Sequence, residues 1–130
     1  MTSQAIFSDR LPKTAGPFSP PVRTGEFIYV SGQVGQDPVS GRLVDGGIER
    51  QTEQAFANVS AVLAAAGKSL ADVVRVGVYL TDMGDFATMN AIYARHFAEP
   101  YPARTTVGVA ALPLGAAMEI DVVVTGWAAI

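Results

Sequence analysis

The chain contains no cysteine. That excludes disulfides, thiolate metal sites and cysteine nucleophiles, and it fits a cytoplasmic protein. A single histidine, His96, rules out a histidine-based metal cluster and any choice among Ser–His–Asp arrangements, so no metal is expected. No apolar run approaches the ~20 residues of a membrane-spanning helix, so no membrane partner is expected. Charge of one sign never accumulates: the basic residues are scattered from Arg10 to Arg104. No phosphate-tracking face results, and no nucleic-acid partner is expected. Residues Met1 to Phe7 show no charged segment followed by a long apolar one, so no signal peptide is expected.

What is present is apolar. Of 130 residues, 49% are hydrophobic and 16% charged, and the mean hydropathy is positive, +0.28. This length supports one core and not two. A small soluble monomer leaves much of its surface in water, so the apolar excess implies burial against further copies of the chain, a homo-oligomer.

The first 25 residues are rich in proline and turn formers and read as a short strand or arm followed by a loop. Residues 26–31 form a β-branched and aromatic strand stopped by Gly32. Residues 37–41 read as a turn, with a brief strand over 42–44. From 48 to 66 the apolar positions (Ala55, Phe56, Val59, Val62, Leu63, Ala66) recur at helical spacing, and Gly67 is placed as a left-handed cap. Residues 73–80 alternate, with Val74, Val76, Val78 and Leu80 on one side and Arg75, Gly77 and Tyr79 on the other. A second helix spans about 85–98, capped by Asp82 or Asp85 and stopped by Pro100, with Phe86, Met89, Tyr93 and Phe97 as its apolar stripe. Asn90 falls on or beside that stripe. Strands over 103–109 and 118–127 complete an α+β layer in which two helices cover one face of a sheet.

Strand alternation places Arg104, Thr106 and Gly108 on one face, and Glu119, Asp121, Val123 and Thr125 on one face of the last strand. Arginine's planar fork suits a carboxylate, glutamate orients or deprotonates water, and Gly108 leaves room for a small ligand. A lone strand arginine is most often a surface residue or a salt-bridge partner, and a strand glutamate most often solvated. Paired as a hairpin, the two strands set Glu119 opposite residue 108 and leave Arg104 roughly 13 Å away, too far for one small substrate. A composite site built from different subunits is therefore expected. Asp121 raises a paired-carboxylate mechanism that no histidine or metal signature supports. Ser31 has no base nearby in sequence and reads as pocket lining. His96 reads as a solvated or capping residue at a helix C-terminus, Trp127 as interface or core, and Tyr79 as packing.

Taken together, Gly16-Pro17-Phe18, Val30-Ser31-Gly32-Gln33, the turn over 37–41, the helix end from Asn58 to Gly67, Asp85 to Asn90, and Pro102-Ala103-Arg104 through Leu112-Pro113 to Glu119-Ile120 span nearly the whole chain. In these segments the sequence resembles the RidA (YjgF) family of reactive-intermediate deaminases. The resemblance implies a single chorismate-mutase-like α+β domain over 1–130, with a mixed β-sheet covered on one face by two helices. It also implies a trimeric barrel assembly, a homotrimer with three clefts between subunits. The implied reaction is hydrolysis of 2-imino acids, released by pyridoxal-phosphate enzymes, to 2-keto acids and ammonia without a cofactor. By motif match, Arg104 would bind the substrate carboxylate, and Glu119 would position water with help from the Thr106 carbonyl. Ser31 and Gly32 would line the pocket, and Phe86 and Asn90 would support it.

This chain departs from the family pattern at several places. Phe18 replaces the usual substrate-binding tyrosine, Thr106 the usual cysteine, and Val107-Gly108-Val109 a Val-Glu-Val pattern. These changes imply a larger, less polar pocket and bear on the substrate more than on the reaction class. Two alternatives are a catabolic deaminase of the 2-aminomuconate type and a non-catalytic small-ligand-binding trimer. Some relatives have been described as endoribonucleases or translation inhibitors; the absence of a basic face argues against that here.

Overall fold

A computed structural model describes residues 3–6 and 21–126 of the chain, so Gly16, Pro17, Phe18 and Trp127 lie outside the described residues. Eight regular elements follow in the order β1 (Ser3–Ala5), β2 (Val22–Thr24), β3 (Phe27–Val34), α1 (Gly47–Ala65), β4 (Val73–Leu80), α2 (Phe86–His96), β5 (Ala103–Gly108) and β6 (Met118–Thr125). The strands form one mixed sheet in the order β1-β2-β3-β6-β4-β5. Every described neighbour pair is antiparallel except β4 with β5, which is parallel.

The core follows from strand alternation. Met118, Ile120, Val122 and Val124 of β6 are buried and meet Val76, Val78 and Leu80 of β4 and Ile28 and Val30 of β3. Ala55, Phe56, Val59 and Leu63 of α1 and Met89, Ile92 and Tyr93 of α2 close the same cluster. The two helices thus cover one sheet face. Each alternate side chain projects from the other face, where Phe27 and Tyr29 remain 39% and 48% exposed.

Several expectations are corrected. Gly32 does not stop β3, which runs on to Val34. Val30 pairs with Val122 and Gln33 with Ile120, so Ser31 and Gly32 together stand opposite Asp121 as a β-bulge. The strand expected over 42–44 reduces to a single bridge between Gln36 and Leu43. A second irregularity falls in β4, where Val73 pairs with Val124 and Arg75 with Val123. Val74 is the extra residue and is exposed, while Val73 takes its place in the core. Helix α2 ends at His96, short of Pro100, because Phe97 turns extended and buries its ring beside Phe56 and Tyr93. Gly67 does adopt the left-handed conformation after α1, at φ 72°. Asp82 caps the short turn that leads into α2 by accepting from the Gly84 N–H.

Candidate active site

Arg104 stands on β5, the outermost strand of the sheet beyond β4. It is in register with Val76, and Thr106 with Val78, so both side chains project toward the helix-covered face. Helix α2 receives the guanidinium. Nη1 donates to Asn90 Oδ1 at 2.7 Å, and Cζ lies 4.5 Å from the centre of the Tyr93 ring and 5.8 Å from that of Phe86. Phe86, Asn90 and Tyr93 recur at helical spacing, so one stripe of α2 supplies the whole cradle. No carboxylate pairs with Arg104 among the described residues. A guanidinium carries five N–H donors, and here one is committed to Asn90. The result is a half-buried cation with donors left for an anion. Two hydroxyls in this region, Thr106 Oγ1 and Tyr93 Oη, are buried without a hydrogen-bond partner among the described residues. Burial raises the Tyr93 pKa, and the Arg104 charge opposes that rise.

Glu119 belongs to the other side of the sheet. It alternates with buried Met118 and Ile120 and pairs with Tyr79 on β4 and Val34 on β3. The bulge in β3 makes room for it. A Cβ placed on Gly32 would come within 2.7 Å of Glu119 Cδ and Oε2, so the carboxylate lies across the glycine. Burial, and after it the nearby Asp121 charge, raises the Glu119 pKa from its ordinary 4.5. Asp121 itself accepts from the Tyr79 hydroxyl at 2.9 Å, and Gly77 leaves the space in which those two groups meet. That hydrogen bond is the main cause of a raised Tyr79 pKa.

The hairpin geometry expected for these residues does not occur. Strand β4 separates β5 from β6, and Arg104 and Glu119 project from opposite faces. The expected site residues therefore divide into two groups. Phe86, Asn90 and Thr106 accompany Arg104, while Ser31 and Gly32 accompany Glu119. Phe18 lies outside the described residues. Gly108 does not offer open space, because the Met83 side chain lies over it, with Cγ 3.0 Å from where a Cβ would be. His96 does end α2, but it is not solvated: it stacks on Phe56 with ring centres 4.3 Å apart and its Nε2 lies 3.1 Å from Glu53 Oε2. Tyr79 does more than pack, and Tyr93 is a guanidinium platform as well as a core residue. Its spacing from Phe86 and Asn90 was the signal for that second role. Among the described residues no three histidine or acidic side chains gather so as to hold a metal ion.

The fold is α+β, and its α2 stripe cradles a half-buried Arg104 guanidinium that no carboxylate neutralises among the described residues. The chain belongs to the family described as Endoribonuclease L-PSP, the RidA (YjgF) family, whose model matches residues 8–125. It is 42% identical over 120 residues to the human 2-iminobutanoate/2-iminopropanoate deaminase, covering 92% of this chain and 88% of that protein. Among solved structures, RidA from an Antarctic Psychrobacter superposes with a TM-score of 0.88 at 44% identity, covering 94% of this chain and 98% of the other. Escherichia coli TdcF with bound serine superposes with a TM-score of 0.86 at 33% identity, covering 94% and 98%.

Proposed function

We propose that this protein hydrolyses 2-imino acids and their enamine tautomers to 2-keto acids and ammonia. The site is a cleft of a homotrimer in which Arg104 of one subunit faces Glu119 of the next. The observation that carries this reading is the sheet itself. Among the described residues of one chain it sets a guanidinium with no carboxylate partner on one face and a carboxylate of raised pKa on the other. A neighbouring copy supplies the missing half.

The chemistry then asks little of the protein. Arg104 clamps the substrate carboxylate through its fork. The protonated imine carbon is already electrophilic. Glu119 orients a water and accepts its proton as the C–O bond forms, with the Thr106 carbonyl as a second anchor for that water. Glu119 returns that proton to nitrogen and then takes the proton of the new hydroxyl, so that C=O forms as the C–N bond breaks and ammonia and the keto acid leave. Rate enhancement comes mainly from positioning. The names of similar proteins support the substrate class: the human relative is named for 2-iminobutanoate and 2-iminopropanoate, and serine, bound by TdcF, carries the same carboxylate.

The test uses 2-iminopropanoate generated in situ. Arg104→Ala and Glu119→Gln chains are each expected to lose roughly a hundredfold or more in kcat/KM, the scale of about 3 kcal/mol of charge-assisted bonding. Refolded together, they are expected to recover about a quarter of parental activity, because mixed trimers rebuild some intact sites. Mixtures that stay inactive would show that both groups act within one chain. Binding of keto acids without turnover by the parent protein would leave a ligand-binding trimer instead.

A further inference from the structure

Helix α1 carries a row of amides where a helix facing a sheet ordinarily carries apolar side chains: Gln51, Gln54 and Asn58. Gln51 Oε1 accepts from the backbone N–H of Ala117 at 2.8 Å. Asn58 Nδ2 donates to the carbonyls of Val34 at 3.0 Å and Gln36 at 2.9 Å. Gln54 Nε2 steadies Asn58 by donating to its Oδ1 at 2.9 Å. These are the places where regular pairing of β3 and β6 gives out, so their backbone groups need partners from elsewhere. They also flank one residue. Ala117 lies two positions before Glu119 in the chain, and Val34 is the cross-strand partner of Glu119. The helix is brought close enough by Gly35, where a Cβ would fall 2.5 Å from Gln51 Cα.

We infer that Gln51 is a positioning residue for Glu119. Through its bond to Ala117 it fixes the entry of β6, and with Asn58 on β3 it holds the register that lays the carboxylate across Gly32. A strand freed at this end can slip or tilt, and a one-residue slip sends Glu119 to the wrong face. This inference rests on the reading that Glu119 positions the attacking water. Arg104 is held by α2, a separate support, so loss of the Gln51 bond acts on turnover and not on carboxylate binding.

Steady-state kinetics of the full chain on 2-iminopropanoate at fixed protein concentration test it. Gln51→Leu removes the acceptor and is expected to lower kcat about tenfold or more with KM held within about twofold. Gln51→Glu keeps an acceptor oxygen for Ala117 and is expected to restore kcat to within about threefold of the parent. Gln51→Asn, a methylene shorter at this half-buried place, carries the same expected loss if the leucine variant does not fold. A folded Gln51→Leu or Gln51→Asn chain with kcat within about twofold of the parent overturns the inference. So does an equal loss in the leucine and glutamate variants. Glu119→Gln in the same assay separates the two levels. If it turns over normally, the role of Glu119 has failed and the inference with it. If it is inactive while Gln51→Leu is unimpaired, only the role of Gln51 has failed.

Discussion

Glu119 meets two influences that oppose its ionisation, burial first and the Asp121 charge second. A raised pKa means that the folded chain holds this proton more tightly than the unfolded one. Between the ordinary value of 4.5 and the raised one, stability contributed by this group therefore falls as pH rises, and above both it stays at the lower level. Asp121→Asn removes the second influence while leaving an acceptor for the Tyr79 hydroxyl. The acid limb of kcat/KM is expected to move to lower pH, and stability above the window is expected to rise. A pH–rate profile with the same limb in both proteins would separate Asp121 from the behaviour of Glu119. The alternation in residues 118–125 already showed that Glu119 and Asp121 share a face. It did not show the Tyr79 hydroxyl between the strands, because that contact depends on which strand lies beside β6.

At the level of the element, one glycine within β3 and one just past its end play different parts. A Cβ on Gly32 would strike the flexible carboxylate end of Glu119, whereas one on Gly35 would strike the backbone of Gln51. Gly35→Ala is thus expected to cost about 2 kcal/mol of stability as α1 is pushed off the sheet. Gly32→Ala is expected to leave stability nearly unchanged and to lower turnover by displacing Glu119. Thermal unfolding at one protein concentration, run beside the kinetics, distinguishes the two; similar unfolding temperatures for both variants would contradict it. The elements themselves were largely legible. Helical spacing from Ala55 to Ala66 and the strict alternation of residues 118–125 reflect burial of one stripe or one face, and burial is written in side-chain type. The bulges at Ser31–Gly32 and Val74 were not, since an extra residue in a strand leaves no compositional mark apart from the glycine. The parallel pairing of β4 with β5 was also hidden, because nearness in sequence favoured a hairpin of β5 with β6, whereas β4 lies between those two strands.

For the whole molecule, the sheet face away from the helices presents Phe27 and Tyr29 on β3 beside Val123 and Tyr79 and, on the outer strand, Val107 at 40% exposure among the described residues. Its burial against further copies of the chain belongs to the oligomer proposed above. Tyr29→Glu, which adds a charge there, is expected to shift the protein to smaller species in sedimentation velocity and to remove activity with them. A dissociated variant that keeps full turnover would end the composite-site reading. The sheet also acts as an electrical partition. An arginine and a glutamate within reach of each other in one chain would close into a salt bridge, each consuming the valence of the other. Mounted back to back on the pleat, Arg104 and Glu119 cannot reach each other, and neither closes a salt bridge among the described residues.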